Sequence, residues 1–318
     1  MMTVPIVFAI DNNVVMQCGV TITSLVMNAK AETFYDIYIL CDQSRLDVEG
    51  RKRLKDAFAG NSQCAIGFVD VGEAFKDMPL QTNGHITIAT YYRLLIPNLF
   101  PQFDKVLYAD IDMVVQKDLS ELFNSAFPNG ELVAAVPDLT IDYKHYFQST
   151  LPYNIGKTEE TYFNAGFLVM NLKRMREEDA VNAFIKQTEN GHAENDQDVL
   201  NLVCNGRTQW IDNIYNFQPN HFANYLWRRK DTQLSFSRLL SKGTLHYTGP
   251  HKPWNSLECV AADAWWHYYR KSPFYDDMAY FRRQYDQIES FRNDFKNKTN
   301  KQLLIRAMVN IKYKLFGK

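Results

Sequence analysis

The chain has 318 residues, of which 46% are hydrophobic and 22% are charged, and its formal net charge is −1. This balance is typical of a globular protein, and the length suits one large domain or two ordinary ones. The near-neutral charge excludes a protein whose overall field holds it on nucleic acid or on a membrane, and leaves only a local basic segment for such contacts.

Along the first half of the chain, short apolar runs alternate with segments of helical spacing. Strands are predicted at 4–10, 34–40 and 64–70, with a helix that ends near Ala29 and another over 44–58. The later elements are predicted as a helix at 89–100, a buried strand at 106–115, strands at 131–138, 165–172 and 243–249, and helices at 173–191 and 195–206. Strands that alternate with helices predict right-handed βαβ units and a mostly parallel sheet.

The five cysteines are scattered and have no C-x-x-C spacing: Cys18, Cys41, Cys64, Cys204 and Cys259. This usage argues against a disulfide framework and a cysteine metal site, and it favours a reducing compartment. The segment MMTVPIVFAIDNN has a short apolar run without a basic leader, which does not fit a signal peptide. Since no apolar run approaches the roughly 20 residues that span a bilayer, we expect a cytoplasmic protein.

Polar side chains follow several of the predicted strands at the point where each strand ends. Asp11 and Asn13 follow the first strand, Asp110 and Asp112 end a central one, and Asp138 ends another. In open α/β sheets, ligands bind beyond the carboxyl ends of the strands. We therefore expect these groups to gather at one edge of the sheet.

Two aspartates interrupt the apolar run VLYADIDMVV, which spans 106–115. In a strand, Asp110 and Asp112 face the same side about 6.6 Å apart, while Ile111 points into the core. Burying two carboxylates without compensation is costly, and together they suit a hard cation. The alternatives are aspartates that cap turns or that pair with Lys105.

A histidine and a lysine occur together in LHYTGPHKPW, which spans 245–254. An imidazole with two carboxylates makes His246 a candidate third ligand, in a set that suits Mn²⁺ better than Mg²⁺. Lys252, as a point charge beside a metal, suits phosphate. The alternatives are a core histidine and a solvated loop lysine.

Six segments occur in the order IVFAIDNN, HITIATYYRLLIPNLFP, DKVLYADIDMVV, YFNAGFLVMNL, NDQDVLN and LHYTGPHKPW. Because of these six segments, the chain resembles the family 8 glycosyltransferases over residues 4–260. These are retaining bacterial galactosyl- and glucosyltransferases of lipopolysaccharide cores, related to glycogenin. The resemblance implies an α/β protein with a GT-A fold, whose Rossmann-like, mixed and mostly parallel sheet is flanked by helices. It also implies a catalytic domain over 1–265 and a helical C-terminal extension over 266–318.

The resemblance further implies a site for a UDP-sugar and a divalent cation, Mn²⁺ or alternatively Mg²⁺. Carried over by motif, Asp110, Asp112 and His246 bind the cation, which bridges the diphosphate. The other residues expected at the donor are Asp11 and Asn13 on the uridine, Gly249 and Lys252 on the diphosphate, and Ile111. One departure is Val14, where the family usually has a tyrosine that stacks on uracil.

Further residues are expected around the transferred sugar and the acceptor. Arg93 would touch the donor sugar or its phosphate, and Asn164, Asp196 and Gln197 would surround the sugar. Of these, Gln197, Asp196 and Arg93 are the predicted catalytic residues. The residues expected near the acceptor are His85, Asp138 and Thr248. Read without the family, Arg93 could form a surface ion pair, Asn164 could be a turn residue, and Asp196 could stabilise a helix N-terminus.

The implied reaction moves glucose or galactose from UDP to a hydroxyl of a cell-surface glycan. Its leaving diphosphate gains negative charge, which a cation and Lys252 would offset. Either Gln197 attacks to give a covalent intermediate, or the acceptor hydroxyl enters on the face that UDP leaves. The second route is favoured because an amide oxygen is a weak nucleophile. Competing functions are a metal-dependent nucleotide-sugar hydrolase and a binding module without turnover; nucleic-acid binding is not expected.

The C-terminal segment from Lys296 to Lys318 carries seven basic residues and no acid. Apolar residues at 303, 304, 307, 308, 311 and 315 share one face of a helix. This pattern predicts a helix that associates with an anionic membrane surface. The alternative is a helix that packs on the domain or a frayed end.

Overall fold

The computed structural model describes residues 1–75, 88–139, 161–189, 195–221 and 233–297. Elements are numbered over these residues. The strands are β1 Met2–Ala9, β2 Thr33–Cys41, β3 Cys64–Asp70, β4 Val106–Ala109, β5 Met113–Val115, β6 Val133–Pro137, β7 Phe163–Met170, β8 Thr208–Trp210 and β9 Thr244–His246.

Helices alternate with these strands through most of the described chain. They are α1 Val15–Met27, α2 Val48–Ala57, α3 Ile96–Leu99, α4 Ser120–Ser125, α5 Leu172–Glu177, α6 Ala180–Thr188, α7 Asp196–Val203, α8 Gln233–Lys242, α9 Ala262–Lys271 and α10 Asp277–Asn297. Short 3₁₀ helices lie at Asn12–Val14, Gly72–Phe75, Ile88–Leu95, Asn213–Tyr215 and Pro219–His221.

Seven strands form one sheet in the order β3-β2-β1-β4-β7-β6-β8, and β5 and β9 form a separate pair. The β1–β2, β2–β3, β1–β4 and β6–β8 pairs are parallel, whereas β7 lies antiparallel between β4 and β6. The prediction of an α/β fold with a mixed, mostly parallel sheet is confirmed. Since Ala109 at the end of β4 pairs with Phe167, the start of β7 lies at the same sheet edge as the ends of β1 and β4.

The central strands are buried because helices cover both faces of the sheet, which is why β4 and β7 have near-continuous apolar sequences. On one face, Phe8 and Ile37 pack with Ile22 of α1. On the other face, Tyr108 and Leu168 pack in a cluster that includes the segment before α3 and parts of α5 to α7. The two packed layers make β1, β4 and β7 a rigid support for the polar edge.

The prediction of a single strand over 106–115 is wrong. The strand β4 ends at Ala109, residues 110–112 form a bend, and β5 begins at Met113 in a different sheet. The hydroxyl of Thr21 on α1 lies 2.7 Å from the Ile111 carbonyl oxygen and 2.9 Å from that of Met113, so the bend is held from the helix. Strand alternation is therefore not what brings the two aspartates together, and Ile111 is half-buried beside the core.

Two predicted helices also differ in detail. The segment at 89–100 is mostly 3₁₀ helix, with only Ile96–Leu99 in α-helix. The segment at 173–191 is interrupted between α5 and α6 by Asp179, whose φ is 53°. A left-handed residue inside a run of α-helix breaks its hydrogen-bonding pattern, and periodicity alone does not reveal such a break.

The C-terminal helix α9 packs against the small β5–β9 sheet. Helix α9 runs across the predicted boundary between 265 and 266, and its Trp265 and Tyr269 belong to the cluster that contains Leu245 of β9. The division into 1–265 and 266–318 stays a prediction. None of the described helices has the length and apolar character needed to cross a bilayer. The predicted basic amphipathic segment lies, from residue 298 onward, outside the described residues.

Candidate metal and donor site

Three potential metal ligands meet just beyond the end of β4. One ligand atom from each of Asp110, Asp112 and His246 can be chosen so that all three lie within 4.8 Å of one another. The Nε2 atom of His246 lies 3.2 Å from Asp112 Oδ1 and 3.8 Å from Asp110 Oδ2. Two carboxylate oxygens and an imidazole nitrogen fit a divalent first-row cation such as Mn²⁺, so the donor set suits the predicted metal.

The small β5–β9 sheet brings the histidine to the two aspartates. Met113 pairs with His246, and the Tyr247 N–H donates to the Asp112 carbonyl oxygen at 2.9 Å. The histidine is therefore held beside the bend by backbone pairing across more than a hundred residues of sequence. Both the bend and this pairing are required for the three side chains to converge.

Lys252 reaches the same cluster from the loop after β9. Its Nζ contacts Asp112 Oδ2 and donates to the Tyr247 carbonyl oxygen at 2.6 Å. Burial alone would raise the pKa of Asp112, but Lys252 and His246 together hold it well below its usual range. Asp112 is thus ionised at neutral pH. Lys252 is therefore not a solvated loop lysine. Among the described residues the aspartates do not pair with Lys105, whose Nζ donates to the Phe123 carbonyl oxygen at 2.5 Å.

Arg93 is buried and links two acids across the site. Its Nη2 lies 3.0 Å from Asp110 Oδ1, its Nε lies 2.9 Å from Asp196 Oδ2, and its Nη1 donates to the Ala165 carbonyl oxygen at 2.6 Å. The guanidinium carbon lies 4.4 Å from the centre of the Tyr108 ring. Arg93 is therefore not a surface residue. Its described contacts orient Asp110, and they leave its predicted contact with the donor as a prediction.

Asp196, the first residue of α7, is a buried carboxylate beside Arg93. Its Oδ1 accepts a hydrogen bond from the Thr90 hydroxyl. Burial raises the pKa of Asp196 to about 6, against the opposing effects of Arg93 and Thr90. The group therefore ionises near the bottom of the physiological pH range, and its charge responds to what binds next to it.

The carboxylate of Asp138 accepts from two amides that were predicted around the sugar. Its Oδ2 lies 2.9 Å from both Asn164 Nδ2 and Gln197 Nε2. The Gln197 Oε1 in turn accepts from the Ala165 N–H at 2.8 Å. Asn164 lies inside β7, so the alternative of a turn residue is wrong. Asp138 thereby fixes which way both amides face.

The predicted uridine residues line a cavity that continues to the metal cluster. The cavity has a volume of about 400 Å³, and residues along its wall include Asp11, Asn13, Val14, Ile111, Asp110 and Asp112. Asp11 is nearly buried and accepts from the Asn13 N–H at 2.9 Å. Asn13 and the half-buried Val14 face the cavity, so the cavity wall has an aliphatic side chain where the family usually has a tyrosine. A larger depression of about 550 Å³, near Met2 and Lys30, is at the opposite end of β1 and lacks these groups.

The remaining predicted residues are those of the acceptor and Gly249 of the diphosphate site. Gly249 has φ of 79°, in the left-handed region that favours glycine. The buried Thr248 hydroxyl makes no hydrogen bond to any residue that the structure describes. Asp138 lies in the amide cluster above, and His85 lies outside the described residues.

Among the residues of the site that carried no functional assignment in the sequence, three lie near His246 or Gly249. An added Cβ on Gly166 would overlap the His246 ring, Asn216 contacts His246 Nδ1 at 3.0 Å, and His221 lies 3.6 Å from where a Cβ on Gly249 would stand. Burial lowers the pKa of His221 from its usual value. Only Gly166 was part of a recognised segment; Asn216 and His221 have no local signal.

Comparison with known proteins agrees with this geometry. The family described as glycosyl transferase family 8 matches residues 5–258. The chain is 28% identical over 295 residues to a putative glycosyltransferase of Haemophilus influenzae, covering 86% of this chain and 84% of that protein. It is also 28% identical over 261 residues to the lipopolysaccharide 1,3-galactosyltransferase of Salmonella typhimurium, covering 79% and 73% of the two chains.

A solved structure shares the fold at similar identity. The galactosyltransferase LgtC, in complex with donor and acceptor sugar analogs, superposes with a TM-score of 0.70 at 28% identity, covering 86% of this chain and 98% of that one. Because the family match spans most of the chain, including every described residue of the cluster, the protein is a glycosyltransferase that belongs to glycosyl transferase family 8.

Proposed function

We propose that the enzyme is a retaining transferase that moves glucose or galactose from a UDP-sugar, with Mn²⁺ bound, to a hydroxyl of a lipopolysaccharide-type glycan. The observation that carries the proposal is the continuity of one cavity from Asp11 and Asn13 to the Asp110, Asp112 and His246 cluster. A nucleoside at one end and a diphosphate at the other match these two groups of side chains. The Salmonella relative, a lipopolysaccharide galactosyltransferase, supports the acceptor class.

The groups of the cluster match the charge that develops during transfer. Asp110, Asp112 and His246 would hold the cation, which supplies positive charge to the departing diphosphate. Lys252 Nζ, already beside Asp112, adds a second positive charge at the same place. Arg93 holds Asp110 in position through the contact at 3.0 Å. Such charges favour the transition state because they are fixed before the bond breaks.

The geometry of Gln197 supports entry of the acceptor on the face that UDP leaves. Its amide oxygen accepts from the Ala165 N–H, and its NH₂ group donates to Asp138. An amide oxygen polarised by a backbone donor is a weaker nucleophile than a free one. Gln197 then serves to shape the sugar pocket and to place an oxygen near the developing positive charge.

Replacing Gln197 by alanine should lower kcat while leaving measurable turnover. A lost nucleophile would reduce kcat by more than a factor on the order of 10⁴, whereas loss of one positioning contact costs far less. The measurement is steady-state transfer with saturating donor and Mn²⁺. Complete loss of turnover in a folded variant would contradict front-face entry, and Gln209→Ala on β8 is the matched control.

The test of the proposed function is a panel of UDP-, GDP- and ADP-hexoses with Mn²⁺, read by nucleotide release with and without a truncated lipopolysaccharide core. We expect turnover of UDP-glucose or UDP-galactose only, stimulated by acceptor, stopped by EDTA and restored by Mn²⁺. Equal release with and without acceptor would identify a hydrolase instead. Activity that survives the chelator, or that prefers another nucleotide, would refute the proposal.

We also propose a cytoplasmic enzyme that associates with the membrane through its C-terminal segment. All five cysteines are free thiols, in agreement with a reducing compartment. The described helix α10, which leads to the basic segment, exposes Met278, Tyr285 and Ile288, at spacings that lie on one side of a helix.

Deleting residues 297–318 should move the protein from the membrane fraction to the supernatant of a cell lysate. Each basic residue near an anionic surface contributes about 1 kcal/mol, so binding to phosphatidylglycerol vesicles should also weaken at high salt. Substituting Glu for Lys312, Lys314 and Lys318 is the matched control that keeps the length. An unchanged distribution of the truncated protein would refute membrane association.

A further inference from the structure

The side chain of Asn216 is completely buried behind the metal cluster. Its Oδ1 lies 3.0 Å from His246 Nδ1. Its Nδ2 donates to Asn164 Oδ1 at 2.9 Å. The residue therefore lies between the histidine of the cluster and the amide that contacts Asp138, and it belongs to neither the predicted ligands nor the predicted sugar pocket.

Hydrogen bonds connect Asp138, Asn164, Asn216 and His246 in that order, and the direction of each bond follows from the carboxylate of Asp138. The Asp138 carboxylate only accepts when ionised, so Asn164 must turn its NH₂ group toward it, at 2.9 Å. The Oδ1 of Asn164 is then placed to accept from the backbone N–H of Gly166, at 3.0 Å. The backbone donor and the carboxylate agree, so the orientation of Asn164 does not depend on the choice made for any other side chain.

With Asn164 fixed, the orientation of Asn216 and the tautomer of His246 are fixed as well. Asn216 must present its NH₂ group to Asn164 Oδ1, so its own Oδ1 faces His246. That oxygen can only accept, and Nδ1 of the imidazole must therefore carry a hydrogen. The Nε2 atom, which faces Asp112 at 3.2 Å, is left to bind a cation through its lone pair.

We propose that Asn216 is a positioning residue that holds His246 in the Nδ1–H tautomer and in the ring orientation that binds the metal. The proposal rests on the metal-dependent function above, because Asn216 can affect metal binding in this way only if His246 Nε2 is a ligand. Metal-binding histidines commonly donate their other N–H to a carboxylate or carbonyl oxygen, and loss of that partner typically lowers metal affinity by about 10- to 100-fold. Here an asparagine takes that place.

The test is a titration of Mn²⁺ into the full-length protein without donor or acceptor, followed by electron paramagnetic resonance. Asn216→Leu removes the acceptor at similar volume, and Asn216→Asp keeps an oxygen for the Nδ1–H. We expect Asn216→Leu to raise the Kd for Mn²⁺ by about 10- to 100-fold and to weaken the ¹⁴N modulation from the bound imidazole. Asn216→Asp should retain both to within about 3-fold, which is below the roughly 10- to 100-fold loss expected when the partner is removed.

Asn28→Leu is a matched control, because that amide bonds to the Ser24 and Val115 carbonyl oxygens and not to His246; its Mn²⁺ affinity should not change. If Asn216→Leu does not fold, Asn216→Ala tests the same loss. Unchanged Mn²⁺ affinity in the Leu or Ala variant would overturn the proposal. Equal losses in the Leu and Asp variants would also overturn it, since packing or the bond to Asn164 would then explain the effect.

This outcome is distinguishable from failure of the proposed function. The titration contains no sugar nucleotide, so an enzyme that uses another donor still reports on Asn216. Conversely, a wild-type protein that transfers sugar from UDP while Asn216→Leu binds Mn²⁺ normally would contradict only the role of Asn216. A wild-type protein that binds no Mn²⁺ would overturn the metal centre and this inference together.

Discussion

Replacing Asp112 by asparagine should remove most of the Mn²⁺ affinity and lower kcat/KM by about 10²- to 10³-fold, the effect of losing one fixed electrostatic contribution to the departing charge. Asp112 contacts both His246, at 3.2 Å, and Lys252. Asparagine keeps the volume but removes the negative charge that both partners require. Because Lys252 and His246 together hold the pKa of Asp112 well below its usual range, the wild-type carboxylate is fully ionised in any ordinary assay.

The effect should separate into a binding part and a chemical part. At low Mn²⁺ the loss should exceed that at saturating Mn²⁺, because excess metal compensates for weak binding and does not restore the missing charge. Asp36→Asn is the matched control, since its half-buried carboxylate lies on β2 and accepts from the Tyr38 hydroxyl at 2.7 Å. Near-normal Mn²⁺ affinity in Asp112→Asn, with Asp36→Asn also normal, would show that the cluster does not bind the metal.

The parts of the fold that local sequence determines were predictable. The apolar runs at 4–10, 34–40 and 64–70 correspond to β1, β2 and β3. Strands buried between helices need continuous apolar side chains, as in β1, whereas β3 lies at the edge of the sheet and is only partly buried. The gathering of polar residues at one sheet edge follows from parallel topology. Strand order and the reversed direction of β7 depend on which surfaces pack in three dimensions, and no short window of sequence contains that information.

The site residues, too, were predictable from local sequence only in part. The D-x-D sequence indicated a pair of acids, but the expected alternation along a strand is replaced by a bend that Thr21 holds from α1. Asn216 and Gly166 contact side chains that are distant in sequence. Gly166 lies in the recognised segment YFNAGFLVMNL, but composition and spacing do not reveal the role of either residue. Arg93 was expected at the donor, and it lines the cavity predicted for the donor while its described contacts also join Asp110 to Asp196. Long-range packing decides how each polar group is oriented.

Replacing Gly166 by alanine should disable the metal site although Gly166 is not one of its three predicted ligands. An added Cβ would overlap His246 Cε1 and lie 2.7 Å from Asp110 Oδ2. Neither neighbour can withdraw easily, because His246 is buried against Asn216 and Asp110 is held by Arg93. The backbone of β7 is also fixed, since the Gly166 carbonyl oxygen accepts from the Asp110 N–H at 2.7 Å.

Overpacking of a well-packed site costs about 1–3 kcal/mol. If His246 and Asp110 move apart to relieve it, Mn²⁺ affinity should fall by roughly 5- to 140-fold, at 1.4 kcal/mol per factor of ten, and transfer should fall at least as far. Gly67→Ala is the matched control on β3, where the nearest atom would lie 3.7 Å from the new Cβ. Mn²⁺ titration and thermal unfolding of both variants separate local from global damage. Wild-type Mn²⁺ affinity in Gly166→Ala would mean that the ligands do not depend on the close approach of β7, and the rigid cluster inferred from the fold would have to be abandoned.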